Sequence, residues 1–520
     1  MAPSRPQWLI VIGLLLALVV AGTPASARGR STSPPDDPTR SSVLGSVARA
    51  NWVVDENSKP GTTAWRIPSS APRGIEGYAN RVSVQVGGRV ALYVSTDAPT
   101  FQVKAYRLGY YQGLGGRLIW KSSRVPGVVQ APAEIDPSTN MVDAPWQQSI
   151  SFPITSTWPQ GCYLLKLVAS SGAQSYVPLT VRDDSSTAAL VIQNEVTTWQ
   201  AYNSWGGYSL YAGEEGGFAT RSRVVSFDRP YGFFRGAAGL LDGNEQPVIA
   251  LVERLGLDIT YWTDVDLDER PGLLRHHRAL ISLGHDEYWS SAMRQAALDA
   301  RHLYGVNIAF LGSNADFRHV RFESSPLGAD RRIVCYKVGT EDPLYGIDDA
   351  EVTVNWRDPP VPRPESVLNG DIYDCHDVLA DMVVVDPSSW LFTGTGLADG
   401  DRLSLLVRGE YDHVNRFVPT PGNIELLAHS PVVCRGRNAY SDVTYYTTSS
   451  GAGVFDSGTT GWIGALKCAP PVKRRSCDLN VVTITENLLA GFSAGPAGVA
   501  HPSSSNLDRF GIVLRYPISV

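Results

Sequence analysis

Beyond its first 27 residues this 520-residue chain contains no apolar run long enough to cross a bilayer as a helix. It also lacks a basic footprint. The formal net charge is -6, and the only basic cluster, Lys473-Arg474-Arg475, is short and reads as a solvated loop, so no nucleic-acid partner is expected. Charged residues make up only 18% against 43% hydrophobic, which excludes a disordered protein and leaves apolar surface for more than one core. No Cys-x-x-Cys pair occurs, so neither a zinc ribbon nor a thioredoxin-type redox motif is present.

What is present begins with Arg5, an apolar run from Leu9 to Ala21, and the small residues Ala25-Ser26-Ala27. This is the layout of a secretory signal peptide cleaved after Ala27, with no stable membrane span left afterwards, so the chain is expected to be secreted. Residues 28–47, rich in Ser, Pro, Arg and Asp, read as a flexible linker. The six cysteines then belong in an oxidising compartment, where Cys468 and Cys477, flanking a Pro-Pro loop, are the expected local pair. Cys162 lies far from the others and reads as a buried thiol.

From residue 48 to 182 the pattern has period two with Gly, Pro and Asn between the runs, as in Arg89 to Ser95, Phe101 to Tyr106, Cys162 to Val168 and Tyr176 to Val181. Short strands without a helical period imply an Ig-like β-sandwich. After a polar linker the rhythm changes. Apolar strands at 188–193, 259–262, 278–283 and 306–311 alternate with helical patterns at 247–257 and 290–304, the latter capped by Ser290 or Ser291 and ended by Gly305. Such alternation requires crossovers, and hence an α/β domain with a parallel sheet over 188–520. Residues 326–388 read as an irregular, Pro-rich insertion, and strand-like runs return after 390.

Parallel sheets bind ligands beyond the carboxyl ends of their strands. Three such loops are dense in polar and aromatic residues: 199–207, Gly284-His285-Asp286-Glu287-Tyr288-Trp289, and Gly312-Ser313-Asn314-Ala315-Asp316. The His285-Asp286-Glu287 turn, placed between a strand and a helix, is where a hydrolase would carry a nucleophilic Ser or Cys. It carries neither, which disfavours acyl-enzyme chemistry and points to a metal or to general acid/base catalysis.

The runs Trp199-Gln200-Ala201-Tyr202-Asn203, Phe227-Asp228-Arg229-Pro230-Tyr231 and Gly284 to Trp289 resemble the large subunit of N,N-dimethylformamidase and its relatives over roughly residues 185 to 465. The preceding Tyr106-Arg107-Leu108-Gly109-Tyr110-Tyr111 resembles the domain that accompanies it. The resemblance implies a glutamine-amidotransferase-like (flavodoxin-like) α/β domain that binds one ferric ion through two tyrosines and a glutamate. These roles carry over to Tyr202, Tyr231 and Glu287, with Tyr208 and Tyr211 as competing tyrosines. It further implies catalytic roles for His285, Asn314 and Glu410, with Glu425 competing for the last. The expected activity is secreted, iron-dependent hydrolysis of a carbon–nitrogen amide bond in a small-molecule or cell-envelope substrate, with a homo-oligomer left open. The alternative is a non-catalytic envelope protein that binds glycan or peptide.

Overall fold

Alternating apolar side chains, interrupted by turns, assemble the first half of the protein into two facing sheets. The computed structural model describes residues 47–241, 245–468 and 477–520. The expected leader, nearly all of the expected linker, and Lys473-Arg474-Arg475 lie outside the described residues. One sheet joins Ile75–Ala79, Arg89–Thr96 and Ile150–Pro153; the other is built on Ser83–Gln85, Gln174–Arg182, Gly161–Ala169, Thr100–Leu108 and Gly116–Lys121. Val90, Leu92 and Val94 of the first meet Val103, Leu165, Leu167 and Leu179 of the second in a shared core.

The strand Gly161–Ala169 is buried almost throughout rather than on alternate residues. Both faces of its sheet are covered, which accounts for the continuous apolar run. Leu165 and Leu167 point into the sandwich, whereas Cys162 and Leu164 join the core of the second half. The two halves are pinned by a fully buried ion pair, Arg107 with Glu253, whose second contact is 2.8 Å. Tyr261 Oη and Asn57 Nδ2 also donate to the Glu253 carboxylate, at 2.6 and 2.8 Å. The Arg107 to Tyr111 stretch therefore serves the seam between the halves.

The second half is mixed α/β and rich in strands. Its central sheet has the order Ile259–Thr263, Leu190–Asn194, Ala279–Leu283, Asn307–Leu311, Gly453–Asp456, Arg437–Thr447, Glu425–Cys434. The first five run parallel and the last two antiparallel. Helix Ser291–Tyr304 starts where Ser290 Oγ accepts from the Met293 amide at 3.1 Å and stops at Gly305, whose φ of 68° is left-handed.

Residues 326–388 are irregular only in part, from 335 to 371, where three short 3-10 turns are the regular elements. The rest contains strand Gly328–Val334, paired with Arg318–Ser325, and strand Ile372–Val383, which forms a long bulged hairpin with Arg402–His413. The repeated bulges break the period-two pattern that would have marked the hairpin in sequence. A short helix, Asn51–Ser58, precedes the sandwich, and a long one, Leu479–Ala494, closes the fold. Cys468 and Cys477 form a disulfide, and a second joins Cys375 to Cys434; Cys162 and Cys335 are buried free thiols. No helix among the described residues is long and apolar enough to cross a membrane.

Candidate active site

The order of the parallel strands reverses between Leu190–Asn194 and Ala279–Leu283, and the loops that follow these two strands and Asn307–Leu311 open on the same edge. Close backbone approach brings two of the loops together. A Cβ on Gly312 would lie 1.6 Å from the Gly284 carbonyl oxygen, so only glycine fits there. Just beyond each glycine stand His285 and Asn314.

Asn314 has φ 59°, and its amide donates to both carboxylate oxygens of Asp412 at 2.9 Å. Asp412 and Glu410 lie on one face of strand Arg402–His413. The same strand therefore delivers Glu410 to the Asn314 side chain, where Nδ2 donates to Glu410 Oε2 at 2.7 Å. His285 Nε2 lies 3.1 Å from Glu410 Oε2, 3.5 Å from Glu287 Oε2 and 3.2 Å from Asn314 Nδ2. Burial alone would lower the His285 pKa, but Glu410 and Glu287 reverse that and hold it at about 9.

Glu287 is 1% exposed and is positioned by its own amide, which donates to Thr198 Oγ1 at 3.0 Å. Tyr202 Oη donates to Glu287 Oε2 at 2.9 Å. Tyr211 Oη lies 2.9 and 2.8 Å from the two carboxylate oxygens and 2.8 Å from Tyr202 Oη, with the two rings stacked at 4.4 Å. Tyr288 Oη reaches Tyr211 Oη at 2.6 Å, and Lys337 Nζ donates to Tyr288 Oη at 2.8 Å while lying 3.3 Å from the centre of the Tyr211 ring. Arg318 Nε adds a contact to Glu287 Oε1 at 3.2 Å. Burial opposes the Glu287 charge, but His285, Lys337 and Arg318 together pull its pKa below the usual value. Burial, and then the charge of Glu287, drive both Tyr202 and Tyr211 well above the ordinary phenol range. Burial also lowers Lys337 to about 7. Tyr202 is 39% exposed, so the cluster opens to solvent on its side.

The structure thus brings together Tyr202, His285, Glu287, Asn314 and Glu410. It does not bring Tyr231 to them. The Tyr231 ring packs at 6.3 Å on Trp199 and 6.0 Å on Phe233, and its phenol sits in the fields of Arg331, Arg229, Glu245 and Asp264. Tyr211 occupies the second tyrosine position beside Glu287. The Tyr208 phenol reaches Glu214 at 3.4 Å, and Glu425 accepts from the Ser504 amide, away from the cluster.

The Phe227 to Tyr231 motif has a different task. Arg229, fully buried, donates to the carbonyls of Asn203, Trp205 and Tyr208 at 3.0, 3.0 and 3.1 Å. Asn203 in turn bonds the Pro230 carbonyl and the Gly232 amide at 2.9 and 3.0 Å. The motif splints the loop that carries Tyr202 and Tyr211. The His285 turn also differs from expectation, because a short strand, Tyr288–Ser290, intervenes before the helix and pairs with Arg318–Ser325. That pairing is what sets Arg318 beside Glu287.

The sequence pattern of the family described as N,N-dimethylformamidase beta subunit-like, C-terminal, matches residues 102–477. The chain belongs to this family. The matched region starts inside the sandwich strand Thr100–Leu108, so the family's unit includes part of the sandwich and every side chain of the cluster. No curated protein matches the chain. Sequence reasoning left out Tyr288, Lys337 and Arg318. Tyr288 stands within the Gly284 to Trp289 run, so a signal existed; Lys337 and Arg318 give none.

Proposed function

We propose that this member of the N,N-dimethylformamidase-like family is an iron-dependent hydrolase of a carbon–nitrogen amide bond, its ferric ion held by Tyr202, Tyr211 and Glu287. The observation that carries the reading is the convergence of two phenol oxygens and a buried carboxylate, all within 2.9 Å of one another. Oxygen donors that become anionic on ligation suit a hard trivalent ion better than zinc or copper. The donor set fits, since three oxygens converge, Glu287 is held charged, and a bound cation would displace the protons that burial keeps on the two phenols. When bound, the ion supplies Lewis acidity, polarising a carbonyl oxygen and acidifying water.

The remaining steps belong to side chains. Glu410 Oε2, held by Asn314 Nδ2, takes the proton of the attacking water as its oxygen bonds to the carbonyl carbon. His285, kept as imidazolium between two carboxylates, gives its Nε2 proton to the amine as the C–N bond breaks. Proton return from Glu410 to His285 across 3.1 Å resets the pair. Asn314 Oδ1 is buried and receives no hydrogen bond from the protein.

The sheet order supports a further reading of the α/β domain as flavodoxin-like and glutamine-amidotransferase-like. Its parallel strands run second-first-third-fourth-fifth, and the cluster sits at the reversal. The two disulfides support work outside the cytoplasm.

The test is a panel of short N-substituted amides offered to iron-loaded protein. Release of amine from at least one, lost in Glu410→Gln with iron retained, is the expected result. Iron-loaded protein that cleaves none of the panel yet binds glycan or peptide would replace hydrolysis with a binding role.

A further inference from the structure

Beneath the Asn314 loop, three carboxylates from separate parts of the chain meet in the interior. Asp371 precedes strand Ile372–Val383, Asp412 lies on Arg402–His413, and Asp456 ends the fifth parallel strand, Gly453–Asp456. They are 0%, 1% and 0% exposed, and one oxygen from each lies within 4.8 Å of the other two. The donors they receive are few. Asp412 accepts from the Asn314 amide, Asp371 Oδ2 from Thr444 Oγ1 at 3.1 Å, and Asp456 Oδ1 from the Gly458 amide at 2.8 Å. Asp371 Oδ1 and Asp456 Oδ2, both sealed from solvent, receive no hydrogen bond from an N–H or hydroxyl donor, and the two carboxyl groups face each other. The neighbouring Arg301 does not compensate them, because it donates to the carbonyls of Val367 and Leu368 at 3.0 and 3.3 Å.

Three buried carboxylates that point at one another have to be neutralised, by shared protons or by a cation, and burial raises the pKa of all three. An oxygen-only ligand set, spaced so that a cation about 2.3–2.6 Å from each oxygen spans it, is the chemistry of a hard divalent ion. We propose that Asp371, Asp412 and Asp456 form a second metal site, separate from the iron site, that takes a divalent cation of the calcium class. Asp412 holds the Asn314 amide and stands two residues from Glu410, so the ion fixes the hairpin and the Asn314 loop to the central sheet. Its role is to position Asn314 and Glu410; it does not touch substrate.

Metal content of full-length protein, purified and dialysed against metal-free buffer, is the deciding measurement. Wild type is expected to hold about one calcium per chain whatever its iron content. Glu287→Ala, designed to lose iron, keeps that calcium, whereas Asp371→Asn and Asp456→Asn lose it. In the Glu287→Ala background, EDTA lowers the melting temperature by about 4 °C and CaCl2 restores it. The proposal is overturned if neither wild type nor Glu287→Ala carries a stoichiometric divalent cation and neither EDTA nor CaCl2 moves the melting temperature. A shared proton would then neutralise the cluster, and Asp371→Asn would leave stability unchanged or raise it. Wild type and Glu287→Ala distinguish these outcomes even if the aspartate variants fail to fold. Loss of hydrolysis alone bears on the iron site and leaves this result intact.

Discussion

Replacing Tyr211 by Phe removes one oxygen from the centre of the cluster and leaves the ring. That oxygen stands 2.6–2.9 Å from Tyr288 Oη, Tyr202 Oη and both oxygens of Glu287. The stacked ring and its Lys337 contact survive, so the fold should change little. If Tyr211 is a ligand, the variant keeps only two of three protein donors. Loss of a group that merely supports a ligand already weakens metal affinity by about 10- to 100-fold. Loss of the ligand itself should exceed the upper figure, equivalent to more than about 2.7 kcal/mol. Tyr231→Phe is the matched control, because its phenol lies among Arg331, Arg229, Glu245 and Asp264 instead. The assay is iron per chain together with visible absorbance from phenolate-to-iron charge transfer, at matched free iron. Tyr211→Phe should lose colour and most of its iron, and Tyr231→Phe should keep both. Full iron and colour in Tyr211→Phe, or their loss in a folded Tyr231→Phe, would refute the assignment.

Other variants probe the site and the seam. Asn314→Ala should lower kcat by about 100-fold or more if the side chain serves the reacting group, and should cost about 1–2 kcal/mol of stability because φ is 59°; Asn314→Gly separates the two effects by restoring stability without activity. Arg107→Ala leaves Glu253 buried and uncompensated between Tyr261 and Asn57, so urea unfolding should show a loss of about 3–5 kcal/mol. In iron-free protein the raised His285 pKa contributes stability that is fully present below the unfolded value of 6.5 and is lost as pH rises through about 9. The difference in stability between wild type and His285→Gln should therefore shrink between pH 6.5 and 9.5, and a constant difference would remove the imidazolium from the mechanism.

Much of the fold was legible because its signals are local. Ser290 and Gly305 mark the ends of their helix through capping and a left-handed turn, and the apolar strands alternate with helical patterns. The closing helix Leu479–Ala494 escaped because it is buried nearly all round and opens with Val481-Val482-Thr483-Ile484-Thr485, a β-prone run that tertiary packing overrides. In the site, His285 and Asn314 stood in motifs at strand ends, whereas Glu410 came only from the family resemblance, with Glu425 as its competitor. The motifs put Tyr231 ahead of Tyr211, whereas it is Tyr211 that stands beside Glu287. Tyr231 sits in the more distinctive motif, yet that motif's work is done by Arg229, which holds the carbonyls of the loop bearing Tyr211. Lys337 falls in a stretch that looked irregular, and Asp371, Asp412 and Asp456 are joined only by the fold.

The most direct test of the central claim is anomalous diffraction at the iron edge from crystals of iron-loaded protein. One strong peak at the convergence of the Tyr202, Tyr211 and Glu287 oxygens is predicted, with none beside Tyr231. Absence of a peak at that cluster, or a peak ligated by Tyr231, would contradict the account.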